Sequence, residues 1–170
     1  MRESEFWRFS LAFYARPGIA DACLELQDKA TVDVNVMFYL LFLASRGRQT
    51  DDIDVARIAE IAQAWRDTVV VPLRAVRRAL KSPIGPYVPA LTSALRSDVK
   101  RTELAAERIQ QETMERSAPP DSFRPATTDR ASTARANVAA YCRLLGEFPA
   151  GPLELVLSGF AQHSSAGDRP

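Results

Sequence analysis

Apolar residues return every three or four positions along almost the whole chain, and the strict alternation of a half-buried strand is absent. The first such stretch runs from about Ser4 to just before Pro17. There Phe6, Phe9 and Phe13 share one side with Trp7, Leu11 and Tyr14 beside them, an aromatic stripe wide enough to face a core. Pro17 suits the first turn of a second helix, where its missing N–H leaves no bond unmade. That helix would bury Ile19, Cys23 and Leu26 and line its other side with Asp21, Glu25 and Asp28 at i, i+4 and i+7. Asp33 is placed to cap a third helix. From Val34 to Ala44 only Asn35 interrupts an apolar surface on all sides. A helix of that kind is buried, so the segment of about 33–46 should be central, ending at Arg46-Gly47.

The pattern then predicts a fourth helix entered through Asp51, Asp52 and Asp54, whose charges suit a helix N-terminus. Its buried stripe would be Val55, Ile58, Ala59, Ala62 and Trp65. Pro72 either kinks that helix or begins the next. The fifth helix, to about Lys81, sets Leu73, Val76 and Leu80 against a stripe of Arg74, Arg77, Arg78 and Lys81. Four prolines and glycines between Ser82 and Pro89 require a loop. A long helix of about 90–116 follows, with Leu91, Leu95, Thr102, Ala106 and Ile109 as its expected inner stripe. Residues 117–132, rich in Pro, Ser and Thr, read as a mobile linker or surface excursion. Two more helices are expected over about 134–145 and 152–160, packed on or beside the core of 1–116, and the tail 162–170 is expected to be disordered. The fold class is therefore all-α: one compact bundle of about six to eight helices.

Composition narrows the chemistry more than the fold. The 170 residues carry 22 Lys and Arg against 21 Asp and Glu, for a net charge of +1. Bulk charge therefore does not draw the chain to nucleic acid. The total conceals a local excess: residues 72–101 sum to +6, flanked by stretches of −3 (51–67) and −2 (102–116). The single histidine, His163, falls in the expected tail. That removes Ser-His-Asp, Cys-His and Glu-x-x-His di-iron arrangements. Seven glycines leave no phosphate-binding loop. Cys23 and Cys142 read as reduced thiols, with Cys23 in the core. An acidic N-terminus and the shortness of the longest apolar run, Val36–Ala44, predict a cytoplasmic protein without a membrane association. No cofactor and no metal site are expected. Glu25, Asp28, Asp33 and Asn35 offer hard oxygen ligands, but at spacings unlike a calcium loop, and capping accounts for Asp33.

Two binding readings remain. The stripe Arg74, Arg77, Arg78 and Lys81 could present guanidinium forks to an anion, or it could pair internally with Asp21, Glu25 and Asp28 or with Glu103 and Glu107. Asn35, entering a buried helix, needs partners; Asp33, Asp28 and an arginine of helix five could complete one buried network with it, fixing register or lining a pocket. The leading expectation is a non-enzymatic helical interaction or regulatory module with a protein partner at the basic face. The other is an anionic small molecule held between helices two, three and five by Arg74, Arg77 and Arg78, with Asp28 as the polar or acid–base group. Nucleic acid is disfavoured, because no aromatic residues interleave with the arginines.

The spaced motifs Trp7-x-Phe9-Ser10-Leu11-x-x-Tyr14, Pro17-Gly18, Cys23-Leu24-x-Leu26-Gln27-Asp28, Asp33-Val34-Asn35 and Pro72-Leu73-Arg74-x-x-Arg77-Arg78-x-Leu80-Lys81 resemble an uncharacterised bacterial protein family. Trp65 and Glu103-Leu104-x-x-Glu107 resemble it as well. The resemblance covers about residues 4–116 and, loosely, 137–157. It implies a small stand-alone bacterial protein and no particular activity. Ala30-Thr31 departs from it, standing where a glycine-containing turn is expected.

Overall fold

The helix predicted to be central is the one around which the others assemble. In the computed structural model, which describes residues 4–166, α1 (Glu5–Tyr14), α2 (Ile19–Ala30) and α3 (Val34–Ser45) follow one another closely. Asp33 caps α3, its Oδ1 accepting the Asn35 N–H at 2.9 Å. Every residue from Val34 to Ala44 is buried. Phe6, Phe9, Phe13 and Phe38 interlock around it at ring separations of 4.8–5.8 Å with Tyr39, Phe42 and one another, geometries that suit the aromatic quadrupole. Ser4 caps α1 by accepting the Trp7 N–H at 2.9 Å.

The second helix starts later than expected. Gly18 sits in the left-handed region at φ 78° and occupies the cap, so Pro17 lies outside the helix. At the other end Thr31 adopts φ 52°, the conformation that favours glycine. The turn expected to hold a glycine thus keeps its geometry with a β-branched residue in it.

A short strand, β1 (Arg48–Gln49), leads to α4 (Asp52–Trp65), which opens with a reciprocal capping box between Asp51 and Asp54. Pro72 neither breaks nor sharply ends this helix. A π-helical turn at Arg66–Val70 carries it into α5 (Val71–Ala79), with the Val71 N–H reaching the Arg66 carbonyl. The chain turns over 80–88 and returns in α6 (Pro89–Ser117), so α5 and α6 pack as an antiparallel hairpin.

Two expectations need correcting, one on α6 and one on the tail. The inner side of α6 is not Leu91, Leu95, Thr102, Ala106 and Ile109: of these only Ala106 is buried. The buried side is Glu103, Ala106, Gln110, Gln111 and Met114, because the partners it meets on α3 and α5 are polar. Between α6 and α7, residues 118–129 run over the surface and are tied down at several points. Tyr39 donates its hydroxyl to the Ala118 carbonyl. Phe123 is buried under the Arg57 guanidinium, 5.3 Å from the ring centre, and β2 (Arg124–Pro125) pairs antiparallel with β1. Finally, residues 162–166 are helical. The last two helices are α7 (Arg130–Leu145) and α8 (Ala150–Ala166), and His163 packs edge-on to Phe9 and Phe13 at 5.7 and 6.0 Å. The rest of the predicted tail, 167–170, lies outside the described residues. Asn137 of α7 ties the layers together, accepting from the Thr50 N–H at 2.9 Å and donating to the Leu40 and Arg48 carbonyls.

Candidate functional site

The polar residues singled out in the sequence separate into two clusters joined by α6. The first surrounds the start of α3. Gln110 donates through Nε2 to Asp33 Oδ2 at 2.8 Å and to the Ala62 carbonyl at 3.3 Å. Its Oε1 accepts from Asn35 Nδ2 at 2.6 Å. Asn35 Oδ1 in turn accepts from Gln111 Nε2 at 2.7 Å. Arg66 Nε stands 3.6 Å from Asp33 Oδ2, and the Asp33 N–H reaches the Tyr141 hydroxyl at 3.1 Å. Burial pushes the Asp33 carboxyl above its ordinary range, and Arg66 and Gln110 pull against that.

The second cluster lies where α5 meets α6. Glu103, 5% exposed, accepts from Arg74 Nε at 3.0 Å and from Arg77 Nε. Arg74 also donates to Glu107 at 2.8 Å. Burial works against the charge of Glu103, but the two arginines outweigh it and hold the carboxyl below its usual range. Glu107 is shifted the other way, by burial and by the neighbouring charge of Glu103. The phenol of Tyr14 is raised by burial and by the charge of Glu107.

Asp33 and Asn35 therefore share a buried network, as the sequence suggested, but its other members are Gln110, Gln111 and Arg66. Asp28 is outside it. Its exposed carboxylate meets Arg78 Nη2 at 2.9 Å, a surface pair worth ~0–1 kcal/mol. Arg74 and Arg77 turn inward onto Glu103, and Lys81 stands exposed at the end of α5 with no ion pair among the described residues. The sequence reading missed Gln110, Gln111 and Arg66. The signal was present in the spacing of Glu103, Glu107, Gln110 and Gln111 at i, i+4, i+7 and i+8, a continuous polar side on a long helix.

This arrangement is poorly suited to taking an anion between α2, α3 and α5, because carboxylates of the chain itself already fill the arginine forks. Two clefts open elsewhere. One, of about 360 Å³, lies among Arg46, Arg48, Asp121 and Arg130, where Arg48 is held by Asp121. The other, of about 480 Å³, runs between the start of α4 and α7 and is crossed by the bonds from Arg143 to Asp52 at 2.6–3.3 Å. The groups most able to do covalent or proton-transfer chemistry are occupied in packing. Cys23 is buried and its thiol is pushed up to about 12 by burial, and His163 sits among aromatic rings with its pKa lowered by burial and by Arg16. Among the described residues no group of three His, Cys, Asp or Glu could hold a metal ion, and no helix is long and apolar enough to cross a membrane.

What the framework leaves uncovered is the outer part of the α5–α6 hairpin. All residues from 81 to 90 are exposed. Tyr87 is 66% exposed and Leu91 69%, with Ile84, Val88 and Leu95 between 40% and 55%. Residues 82–95 carry no charge. Over residues 5–114 the chain matches the model of a family described as "protein of unknown function (DUF2390)". No curated protein and no solved structure matches it.

Proposed function

The chain belongs to the DUF2390 family of proteins of unknown function, and from that premise we propose that it is a non-enzymatic helical interaction module, docking through the outer end of the α5–α6 hairpin. One observation carries this reading: an uncharged segment, 82–95, holds five large apolar side chains in solvent at the tip of a hairpin. Contiguous exposed apolar surface marks contact sites on otherwise soluble folds. The ion pairs of Arg74 and Arg77 with Glu103 and Glu107 support the reading from behind, since they fix α5 to α6 where neither helix has a deep apolar face. In this reading Lys81 is the residue of the basic stripe that meets the partner. Arg74 and Arg77 act by positioning the hairpin, and Asp33 and Asn35 by fixing the register of α3 against α6. Arg78 and Asp28 form a rim pair of little weight.

The double variant Leu91→Ser/Leu95→Ser tests it. Both side chains are already half or more exposed, so the stability should change by less than about 0.5 kcal/mol. The tagged variant should lose a stoichiometric partner that the wild type retains. A destabilisation above about 2 kcal/mol would place these residues in the core, and an unchanged partner list would remove the hairpin from consideration.

A further inference from the structure

One side of α6 is exposed along most of its length, from the hairpin tip back past the middle of the helix. At 3.6 residues per turn, Leu91, Leu95, Asp98, Thr102, Ala105 and Ile109 fall within an arc of about 80°. All six are exposed, Leu91 at 69%, Leu95 at 52% and Ile109 at 49%. Their spacing, four and three residues in alternation, is that of a seam between two helices. The side turned into the protein, with Glu103, Gln110 and Met114, lies about a third of a turn away. The one charged residue in the seam is Asp98, and Arg101 on its border holds it. The Thr102 hydroxyl donates to the Asp98 carbonyl of its own helix at 3.0 Å, so it brings no unmet donor.

Resting on the docking function proposed above, we infer that the occupant of this surface is a second copy of the chain, its α6 lying antiparallel across a two-fold axis level with residue 100. That register sets Leu91 against the partner's Ile109, Leu95 against the partner's Ala105 and Asp98 beside the partner's Thr102. A two-fold contact must be self-complementary, and this one is complementary in size and charge. The bulky Leu95 meets the small Ala105 twice over, and each Asp98 enters with the Arg101 that already neutralises it. A parallel pair would instead set Asp98 on Asp98 and leave a gap between two Ala105 side chains. The uncharged segment 82–95 adds no like-charge repulsion to the approach of the second copy. From Leu91 to Ile109 the seam is about 27 Å long. The polar layer at Asp98 fixes its register at a cost in stability, so the dimer is weak and reversible.

Sedimentation velocity of the full chain from about 1 μM to about 500 μM tests the inference, with a shift from monomer to dimer expected inside that range. Ala105→Arg puts bulk and charge at an exposed position opposite Leu95 and should raise Kd about tenfold or more. Ile53→Ser, at an 81% exposed apolar side chain on α4, should leave it unchanged. Circular dichroism of each variant should show the wild-type fold. Spin labels at Ala90→Cys or Ser97→Cys, both exposed and each in a Cys142→Ser background, read the register. The two-fold separates the Ala90 pair by about 30 Å along the axis and the Ser97 pair by about 9 Å. The first distance should therefore exceed the second by at least about 10 Å. Equal distances mean a parallel contact and overturn the inference. A dimer indifferent to Ala105→Arg, or weakened as much by Ile53→Ser, uses another face and overturns it too. A monomer throughout overturns the second copy but not the docking function. That function falls as well only if Leu91→Ser/Leu95→Ser leaves the list of retained proteins unchanged.

Discussion

Replacing Gln110 with methionine preserves most of its volume and removes both ends of its amide. Asn35 Nδ2 then loses its acceptor at 2.6 Å, and Asp33 Oδ2 loses its donor at 2.8 Å. Both partners are deep in the protein, where an unanswered polar group costs about 1–3 kcal/mol. Arg66, 3.6 Å from Asp33, retains part of the compensation there. The methionine returns about 1 kcal/mol through its apolar burial. The net loss should be about 2–4 kcal/mol, read from the urea midpoint at constant m-value. The loss should also depend on pH. Asp33 has a folded pKa raised above 3.8, so it contributes stability below that value and forfeits it as the pH rises through the folded pKa. Without the Gln110 bond, which favours the charged form, that forfeit grows, and the variant should be more impaired at pH 7 than at pH 4. A second variant, Asn35→Leu, and the double variant complete a cycle. Removing both members of a buried bond costs less than the sum of removing each, so the double variant should fall short of additivity by about 1 kcal/mol or more. A loss under about 0.5 kcal/mol for Gln110→Met, or strict additivity in the cycle, would show that the network carries none of the weight given to it.

Glu103→Gln leaves Arg74 and Arg77 facing a neutral amide and should cost about 2–3 kcal/mol; amide hydrogen exchange should rise across 71–101 and stay constant in α3. Since the folded pKa of Glu103 is lowered, its contribution is present above about pH 4.5 and disappears as the pH falls through the folded value, so wild type and variant should converge in acid. Thr31→Gly relieves a β-branched residue at φ 52° and should raise stability by about 0.5–1 kcal/mol, a gain of several degrees in Tm; a lower Tm would refute the strain. His163, whose folded pKa lies below 6.5, contributes stability above that pH and loses it on acidification. The wild type should therefore lose Tm between pH 7.5 and pH 5.5, and His163→Phe should lose less.

The all-helical bundle and its central helix were legible because Val34–Ala44 leaves no polar side, and Asp33 marked its start. Legibility failed where polar groups form the interior. Leu91, Leu95 and Ile109 read as the core stripe of α6 on apolar spacing alone. The helix instead turns Glu103, Gln110 and Gln111 inward, because Arg74, Asn35 and Asp33 answer them from elements distant in sequence. Periodicity locates a helix and its sides, but where two sides compete, partners contributed from elsewhere decide between them. His163 was misplaced for a related reason: the polar residues after it resemble a tail, and the aromatic rings that hold it belong to α1, 150 residues upstream. The proposed docking surface became visible only by subtraction, as the apolar stripe left over once the true interior was known.

The π-helical turn before Pro72 has a consequence for inheritance. Between Trp65 and Val71 the chain holds one residue more than a regular helix would use, and the widened turn absorbs it without rotating α5. A one-residue deletion there would leave Arg74 and Arg77 still directed at Glu103. It would also place Pro72 inside a regular helix, where its ring meets the preceding carbonyl at a cost of about 3 kcal/mol. The extra residue and the proline therefore form a linked pair of characters. Chains of this family that lose one should have lost the other, and a change in length at this point should travel with a change of residue at position 72.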